Sequence, residues 1–525
     1  MQSLTIGLLE EELGWIQILK QEGLSYRICD LHRTIPQDDF GVLVLNRPLR
    51  DEEKRILEEY LLKGGGLLTD LRTIGEMRNI PYRSCRIESI VPTSDPLFRN
   101  ISLIDLGLKG SWSKKADLGR IRGKRNAIYR GSLGKGFLLA LPFDVHRAMT
   151  DQRTKRKAFY FEKARRFPDE KVSLVSKGEV RRLVSNCLLK LFHQRGLPYL
   201  HLSYYPDGFR NALVLRMDAD LSGKEDIQNL YELAKRHGIR ISWFIHMKQG
   251  EKNLKEILQM EEEGHEIGVH GYLHRTYPDY RRNLENIQRA RDLMKERGLH
   301  PIGFSSPFGI WNENLGRVLE DLEFEYSSEF GLNYDDLPFY PLLGDRLSKV
   351  LQVPVHPISI GNLRLARFQE EEMILYYQRV MNLKWIRGEP LIFYSHPEGE
   401  GGEVIESIIR YAEEKKGFWR TDLSSFMRWW KEREKFQYQA EMEGDRIFIH
   451  PSIPNPRIFY SIHTPEGKEA LIPSTEVIEL REIPYDPSPP VSEWDEKILR
   501  TKRVKGLLFM RDLVSWFYRN RRREI

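Results

Sequence analysis

Cysteine is scarce in this sequence. Among 525 residues only Cys29, Cys85 and Cys187 occur, and their spacings match neither a zinc knuckle nor a disulfide framework. The sequence also lacks a run of about 18 apolar residues, so no membrane-spanning helix is predicted. The first residues lack the apolar stretch of a secretory signal, because Glu10 and Glu11 interrupt it. We therefore expect a protein of a reducing compartment, the cytoplasm.

A strong excess of one charge is missing as well. The 82 basic residues face 76 acidic ones, which gives a formal net charge of +6, so the composition does not indicate nucleic-acid binding. A local excess occurs in residues 147–182, where twelve Lys or Arg residues accompany five acidic ones. We interpret this segment as a solvated pair of linker helices. The alternative is a site that receives an anionic substrate or partner.

Residues 1–145 alternate short apolar runs with helical periods, which predicts an open α/β domain. The stretches LRDEEKRILEEYLLKGGGLLTD and GKGFLLALPFDV resemble class I glutamine-amidotransferase-like or flavodoxin-like domains. Catalysis in the amidotransferase family needs a cysteine in a G-x-C-x-G turn, and neither Cys29 nor Cys85 lies in one. We expect a chemically silent domain over 1–200, including the basic connector. Binding or assembly is the preferred role, and a structural role is the alternative.

A second alternation of strands and helices begins near Asn211 and predicts a parallel, (β/α) barrel-like domain over 205–433. Short alternating strands then predict a small β-sandwich-like module over 436–483. Residues 491–525 predict a basic amphipathic helix, in which apolar residues alternate with arginines. We expect this helix to dock on the protein itself, with peripheral contact to an anionic membrane as the alternative.

Two short motifs carry metal-binding chemistry. His270 and His274 are spaced i, i+4 at the end of the predicted strand HEIGV, where two imidazoles can converge on one metal ion. Asp218 and Asp220 end the strand ALVLRMD, and residues two apart point to the same side of a strand. Each motif alone is weak, because a solvated loop acid or an unrelated histidine pair gives the same pattern.

The order of four motifs is more specific than any one of them. The two motifs above are followed by SSPFG at 305–309 and by YSH, which ends in His396. This order resembles the polysaccharide deacetylase family, also called NodB-like or carbohydrate esterase family 4, over about 205–433. The resemblance implies that Asp220, His270 and His274 bind one divalent metal, with zinc the preferred ion. It implies that Asp218 is the general base and His396 the general acid.

One position departs from the family pattern. The family's third motif begins with an arginine that pairs with the catalytic aspartate, and Ser305 stands there in this sequence. Arg216 lies two residues before Asp218 on the same strand face, so we predict that it replaces the missing cation. The backbone N–H near Phe308 is predicted to contribute to an oxyanion site.

Other residues are assigned by position alone. Together with Phe308, Tyr272 and Trp311 are predicted to form an apolar wall for the sugar, and the alternative is that these aromatic residues belong to the core. An acidic partner of His396 is expected among three residues whose spacing selects none, namely Glu329, Asp335 and Asp336. Two further histidines lie outside the motifs and are interpreted as structural, namely His265 and His356.

The predicted reaction is hydrolysis of an acetamido group on a sugar, releasing acetate and a free amine. A cytoplasmic location favours an intracellular glycan precursor linked to a nucleotide or lipid, whose phosphate would meet the basic residues. One alternative is a metal-dependent hydrolase of another amide, imide or ester. Another is a catalytically lapsed carbohydrate-binding or assembly protein. Neither the oligomeric state nor a nucleic-acid partner is indicated.

Overall fold

The chain folds into two units that do not follow the order of the sequence. The computed structural model describes residues 1–31, 35–121, 125–161, 165–220, 223–397 and 401–486. Within these residues the first unit comprises 1–151, 175–208 and the chain from 431 onward, and the second comprises 152–174 and 209–430. The helix predicted at 491–525 lies outside the described residues. None of the described helices has the length and apolar character needed to cross a bilayer.

The first unit is built on a sheet of nine strands, of which five are parallel. Apolar runs such as Val42–Leu45 are buried on both faces, as a parallel sheet covered by helices requires. In spatial order the parallel strands are Tyr26–Ile28, Ile6–Leu8, Val42–Leu45, Gly66–Asp70 and Gly136–Leu141. The sheet continues through antiparallel strands, which are Arg125–Leu133, Leu118–Ile121, Arg83–Val91 and Ile104–Trp112. The helical segments of this unit are Leu13–Glu22, Asp51–Leu62, Leu71–Arg78, Pro96–Phe98, Val145–Met149 and Lys177–Gln194.

Two small sheets in the first unit combine distant parts of the chain. One contains, in spatial order, Gln2–Ser3, Tyr438–Glu443, Arg446–Pro451 and Val477–Glu479. The other contains Tyr199–Leu202, Phe459–His463 and Glu469–Pro473. The strands of the segment predicted as a separate module at 436–483 are therefore paired with strands from earlier in the chain. The predicted domain boundaries themselves stay predictions.

A pair of histidines lies in the second of these small sheets. His201 is 6% exposed, and its Nε2 lies 3.3 Å from Nε2 of His463. The two rings are stacked, with centroids 5.4 Å apart. Burial, and after it the neighbouring His463 imidazole, lowers the pKa of His201 to about 4. His201 is therefore neutral near pH 7.

We expect His201 to make the folded state less stable as the pH falls from 6.5 towards 4. A histidine whose pKa is lower in the folded than in the unfolded state binds its proton on unfolding, so acid favours the unfolded chain. From an ordinary pKa of 6.5 lowered to about 4, the loss between pH 7 and pH 5 is about 2 kcal/mol. Urea unfolding at the two pH values should show this loss in the wild type and in a control, His450→Phe, whose histidine is exposed. His201→Phe should lack it, and an unchanged pH dependence in this variant would contradict the prediction.

The connector at 147–182 is the clearest error of the sequence prediction. Instead of a helix pair, Thr154–Lys157 and Glu170–Ser173 form an antiparallel ladder in the second unit. Two shorter strands, Tyr160–Phe161 and Arg165–Arg166, also pair. Aromatic contacts hold this segment, since the Phe167 ring lies 5.3 Å from that of Tyr376. Such contacts between distant residues override the local helix propensity of a Lys- and Arg-rich segment.

The second unit is built on a sheet of eight parallel strands, a half-barrel. Seven strands follow one another across the sheet, namely Leu351–Gln352, Tyr326–Ser327, Gly303–Phe304, Glu266–Val269, Ile241–Ile245, Asn211–Ala219 and Leu391–Ser395. The eighth, Phe418–Thr421, pairs with Asn211–Ala219. A small hairpin joins Leu342–Leu343 with Arg346–Leu347. The mixed α/β prediction with a parallel barrel-like sheet is confirmed.

Helices connect these strands. The helix Tyr280–Glu296 has one buried face, formed by Asn283, Asn286, Ile287, Ala290 and Met294. The helical segments that begin in this unit are Lys224–Arg236, Met247–Gly250, Glu251–Asn253, Leu254–Glu262, Tyr280–Glu296, Pro307–Gly309, Glu313–Asp321, Ile360–Leu365, Glu370–Arg387, Gly402–Glu414 and Leu423–Lys435. Functional side chains are expected where parallel strands end, at the carboxyl edge of the sheet.

Candidate metal centre

Four polar side chains form one row at the carboxyl edge of the parallel sheet. The last residues of four neighbouring strands are paired across the sheet in the order Ala219, Ile245, Val269 and Phe304. The residue after each therefore lies at the same height, and these residues are Asp220, His246, His270 and Ser305. On the other side, Met217 pairs with Ser395, so Asp218 and His396 lie at a common height. The sheet register thus gathers residues that are far apart in sequence.

Asp220, His270 and His274 are close enough to share one metal ion. Nε2 of His270 and Nε2 of His274 each lie 3.1 Å from Oδ1 of Asp220, and the three ligand atoms lie within 4.8 Å of one another. Two imidazoles and a carboxylate are a donor set found in catalytic zinc sites, where a further position is left for water or substrate. The residues present therefore fit a divalent metal.

The surroundings of the cluster orient the donors. Nδ1 of His270 donates to the main-chain oxygen of Ser305 at 2.7 Å, because a carbonyl oxygen can only accept. This hydrogen bond fixes the tautomer in which Nε2 is free of its proton, the form that binds a metal. Burial would raise the pKa of Asp220, but the His274 and His396 imidazoles outweigh it and hold the pKa well below its usual value. Asp220 is thus ionised, as a carboxylate ligand must be.

Asp218 is held by Arg216 through a bidentate ion pair. Nε of Arg216 donates to Oδ1 of Asp218 at 3.0 Å, and Nη2 donates to Oδ2 at 2.5 Å. Both side chains are buried, with at most 5% of either exposed. Burial alone would raise the pKa of Asp218, but the Arg216 charge, followed by the His270 imidazole, lowers it below the usual value. The two parallel hydrogen bonds give this pair a fixed geometry.

Arg216 also contacts Ser305. Its Nη2 donates to Oγ of Ser305 at 2.5 Å, and that hydroxyl donates to Oδ1 of Asp218 at 3.2 Å. On the far side Nη1 donates to the main-chain oxygen of Ser328 at 2.6 Å. The guanidinium carbon lies 5.5 Å from the centre of the Phe244 ring and 5.4 Å from that of Tyr394. The guanidinium therefore reaches Asp218 from its own strand, with Ser305 filling the remaining space.

His396 and the histidine ligands lie on opposite sides of Asp220 in the sheet. His396 follows the strand Leu391–Ser395, and His270 follows the strand Glu266–Val269. Nε2 of His396 is 3.5 Å from Oδ2 of Asp220, and 26% of the His396 side chain is exposed. It also borders a cavity of about 290 Å³ together with Ser395 and Arg364. His396 is thus more exposed than Asp220, His270 and His274.

Three carboxyl residues were predicted as possible acidic partners of His396, and two of them contact other residues. Asp335 lies 2.9 Å from Nδ1 of His356 and 2.8 Å from Nζ of Lys384. Asp336 accepts from Nδ2 of Asn333 at 2.7 Å. Glu329 is fully buried, and this burial raises its pKa to about 8. An acidic partner of His396 among these three residues stays a prediction.

The three aromatic residues of the predicted sugar wall differ in exposure. Phe308 is 36% exposed, and its ring centre lies 4.8 Å from that of His274. Its φ of +60° is a strained conformation for a bulky residue, of a kind that is enriched at functional sites. Tyr272 is partly exposed and accepts a hydrogen bond from Arg289 at 2.8 Å. Trp311 is only 6% exposed, which leaves it little surface for a ligand.

The two histidines interpreted as structural have protein partners. Nδ1 of His265 accepts from the main-chain N–H of Ile241 at 3.1 Å. His356 lies between Asp335 and the hydroxyl of Tyr376, which is 2.8 Å from its Nε2. The sequence prediction did not include His246, which lies in the row of the metal ligands. Its signal is its position directly after the apolar strand Ile241–Ile245, matching Asp220 after Asn211–Ala219.

Part of the chain is similar to proteins of a known family. Residues 210–327 match the polysaccharide deacetylase family. A peptidoglycan deacetylase of Helicobacter pylori is 25% identical over 132 residues, which cover 25% of this chain and 45% of that protein. The match thus spans less than half the length of this relative. Part of the chain is accordingly similar to NodB-like polysaccharide deacetylases.

Two solved structures illustrate the range of similar proteins. One is described as a probable polysaccharide deacetylase from Pseudomonas aeruginosa PAO1, with 18% identity and a TM-score of 0.37 over 43% of this chain and 92% of that one. The other is a family 4 carbohydrate esterase pseudoenzyme from Bacillus anthracis, with 14% identity and a TM-score of 0.32 over 42% of this chain and 68% of that one.

Proposed function

We propose that the chain is a metal-dependent hydrolase that removes the N-acetyl group from an acetamido sugar or glycan precursor. The observation that carries this proposal is the cluster of Asp220, His270 and His274, with Asp218 and His396 at a common height beside it. Zinc is the preferred ion, since imidazole and carboxylate donors in a four-coordinate site suit it. When bound, the metal supplies Lewis acidity, which polarises the acetyl carbonyl and makes water a better nucleophile near neutral pH.

The chain's own residues would handle two protons. Asp218, kept ionised by Arg216, is the proposed general base that accepts a proton from water as its oxygen bonds to the acetyl carbon. His396 is the proposed general acid, which donates a proton to the nitrogen as the carbon–nitrogen bond breaks. The products are acetate and a free amine. The exposed ring of Phe308 beside His274 offers an apolar surface for the acetyl methyl group or the sugar.

The experiment that tests this function is a measurement of acetate release by the full chain. The substrates would be N-acetylated chito-oligosaccharide and a nucleotide-linked N-acetylglucosamine, assayed with the metal-loaded protein and with protein stripped by a chelator. We expect release only from loaded protein and recovery when one equivalent of zinc is restored. Absence of a bound metal after purification and after reconstitution would overturn the proposal.

The same assay separates the alternatives. A hydrolase of other bonds would leave the acetamido sugars intact and cleave a cyclic imide or an aryl ester in a metal-dependent way. A lapsed carbohydrate-binding protein would bind the oligosaccharide without releasing acetate. Ser305 in place of the family's arginine favours the lapsed protein, whereas the bidentate contact of Arg216 with Asp218 favours an active enzyme. We prefer the enzyme because the cation is present, although it comes from another position.

The proposal of a phosphate-linked substrate gains little from the basic segment. Arg166 is paired with Asp169 at 2.5 Å, and Arg181 is paired with Glu22 at 2.5 Å. All four side chains are at least nine-tenths buried, so these arginines serve the interior of the protein. A phosphate-linked substrate therefore rests on the remaining basic residues, and the two substrates of the assay compare it directly with an uncharged one.

We further propose that residues 1–145 form a flavodoxin-like domain without catalytic activity. When its five parallel strands are numbered along the chain, their order across the sheet is 2-1-3-4-5, which supports the flavodoxin-like topology. Ligands of such folds bind where the strand order reverses, and here Asn46, directly after the strand Val42–Leu45, donates to the main-chain oxygen of Glu10 and to the Glu12 carboxylate. Cys29 is 5% exposed, and burial raises its pKa to about 11, so it is a poor nucleophile.

A further inference from the structure

His246 lies in the same row as two of the metal ligands. It follows the strand Ile241–Ile245, which is placed between the strand that ends at Asp220 and the strand that ends at His270. Only 5% of its surface is exposed. A buried polar side chain needs partners, and those of His246 belong to the loops that carry the metal ligands.

The first contact joins His246 to the loop of Asp220. Nδ1 of His246 lies 2.9 Å from the main-chain oxygen of Asp220, and because a carbonyl oxygen can only accept, Nδ1 is the donor. The main-chain N–H of His246 donates to the oxygen of Ala219 at 3.4 Å. The backbone on both sides of the Asp220 carboxylate is therefore tied to one residue of the neighbouring strand.

The second set of contacts joins the same turn to the loop of the histidine ligands. The His246 ring lies 5.8 Å from the His274 ring, centre to centre, and the main chain of Tyr272 also interacts with it. The next two residues donate main-chain hydrogen bonds to this loop, Met247 to Gly271 at 3.0 Å and Lys248 to Tyr272 at 3.2 Å. His246 thus contacts both loops from which the ligand side chains extend.

We propose that His246 is a positioning residue that holds the Asp220 loop and the His270–His274 loop at the separation a metal ion needs. This inference rests on the proposed function, because it assumes that the cluster binds a metal. Outer partners of metal ligands set the orientation of the ligands, and their loss typically weakens metal binding by about 10- to 100-fold. His246 acts through Asp220 and His274 and is not itself assigned as a ligand.

Zinc affinity of the full chain, measured by competition with a chromophoric chelator, tests this role. His246→Phe keeps a ring of similar size without nitrogen atoms, and we expect zinc to bind about 10- to 100-fold more weakly. His246→Asn retains a donor for the Asp220 carbonyl and should recover most of the affinity. The electronic spectrum of the cobalt-substituted protein gives a second readout, and a changed ligand geometry should alter it in His246→Phe but not in His246→Asn.

His265→Phe is the matched control. His265 is also a buried histidine of this unit, but it accepts hydrogen bonds from Ile241 and Trp243 at the opposite end of the strands. It should lower the stability of the metal-free protein without changing zinc affinity. If His246→Phe does not fold, His246→Leu takes its place.

Three outcomes would overturn the role of His246. Two of them leave the proposed metal site intact, and the third overturns it as well. Equal zinc affinity in wild type and His246→Phe would overturn this role alone. Equal weakening by His265→Phe would also overturn it, because the effect would then be a general loss of stability. Failure of the wild type to bind zinc or cobalt would overturn the metal site and, with it, this inference.

Discussion

Asp218→Asn is expected to lower kcat for acetate release by about 10²- to 10⁴-fold, the usual contribution of a general base, and to leave metal content unchanged. Asparagine has nearly the shape of aspartate but cannot accept a proton from water. The proposed metal ligands are Asp220, His270 and His274, so this substitution removes none of them. Acetate release and metal content measured on the same sample check both parts of the prediction.

Asp220→Asn is the matched comparison, because it makes the same chemical change two residues away. The Asp220 carboxylate lies 3.1 Å from the Nε2 atoms of both His270 and His274. A neutral amide is a weaker ligand for a divalent metal, so this variant should lose both bound metal and activity. If Asp218→Asn lost the metal and Asp220→Asn kept it, the roles of the two carboxylates would be exchanged.

The sequence was sufficient to predict that Asp220, His270 and His274 lie close together, because the order of its motifs resembles one family and each motif is short. His270 and His274 are four residues apart, and Asp218 and Asp220 follow an apolar strand. The parallel sheet then needs only its usual geometry, in which strand ends meet at one edge, to bring the two motifs together. The contact of Arg216 with Asp218 was predicted for the same reason, since residues two apart on a strand share a face.

Features that depend on distant pairing could not be predicted in this way. His246 follows an apolar strand in the sequence, but its place between Asp220 and His270 depends on the register that puts Ile245 beside Ala219 and Val269. The segment 152–174 reads as helical from its composition, yet it pairs as strands in the second unit, held by contacts such as that of Phe167 with Tyr376. Similarly, the strand Tyr199–Leu202 pairs with Phe459–His463, more than 250 residues later. Local periodicity contains no information on such partners.

Arg216→Met is expected to affect stability and the pH dependence of catalysis together. Removing one partner of a buried ion pair leaves the other charge uncompensated, which typically costs about 3–5 kcal/mol. Without the Arg216 charge the pKa of Asp218 rises, because burial, the largest influence on it, is then opposed less. The base is ionised only above its pKa, so the acidic limb of the kcat/KM profile should move to higher pH. Chemical unfolding and a pH–rate profile measure the two effects.

Adding Ser305→Arg to the Arg216→Met variant tests whether Asp218 needs a neighbouring cation or needs it from position 216 in particular. Oγ of Ser305 lies 3.2 Å from Oδ1 of Asp218 and 2.5 Å from Nη2 of Arg216, so an arginine at position 305 can reach the space that methionine leaves. This substitution also restores the residue that the polysaccharide deacetylase pattern has at this position. We expect the double variant to recover part of the stability and to return the acidic limb towards that of the wild type.

Ser305→Ala is the control, since it removes the hydroxyl and keeps Arg216, and it should change the profile little. If the double variant stayed as impaired as Arg216→Met, Arg216 would be needed for its contacts with Ser328 and the two flanking rings and not for its charge beside Asp218.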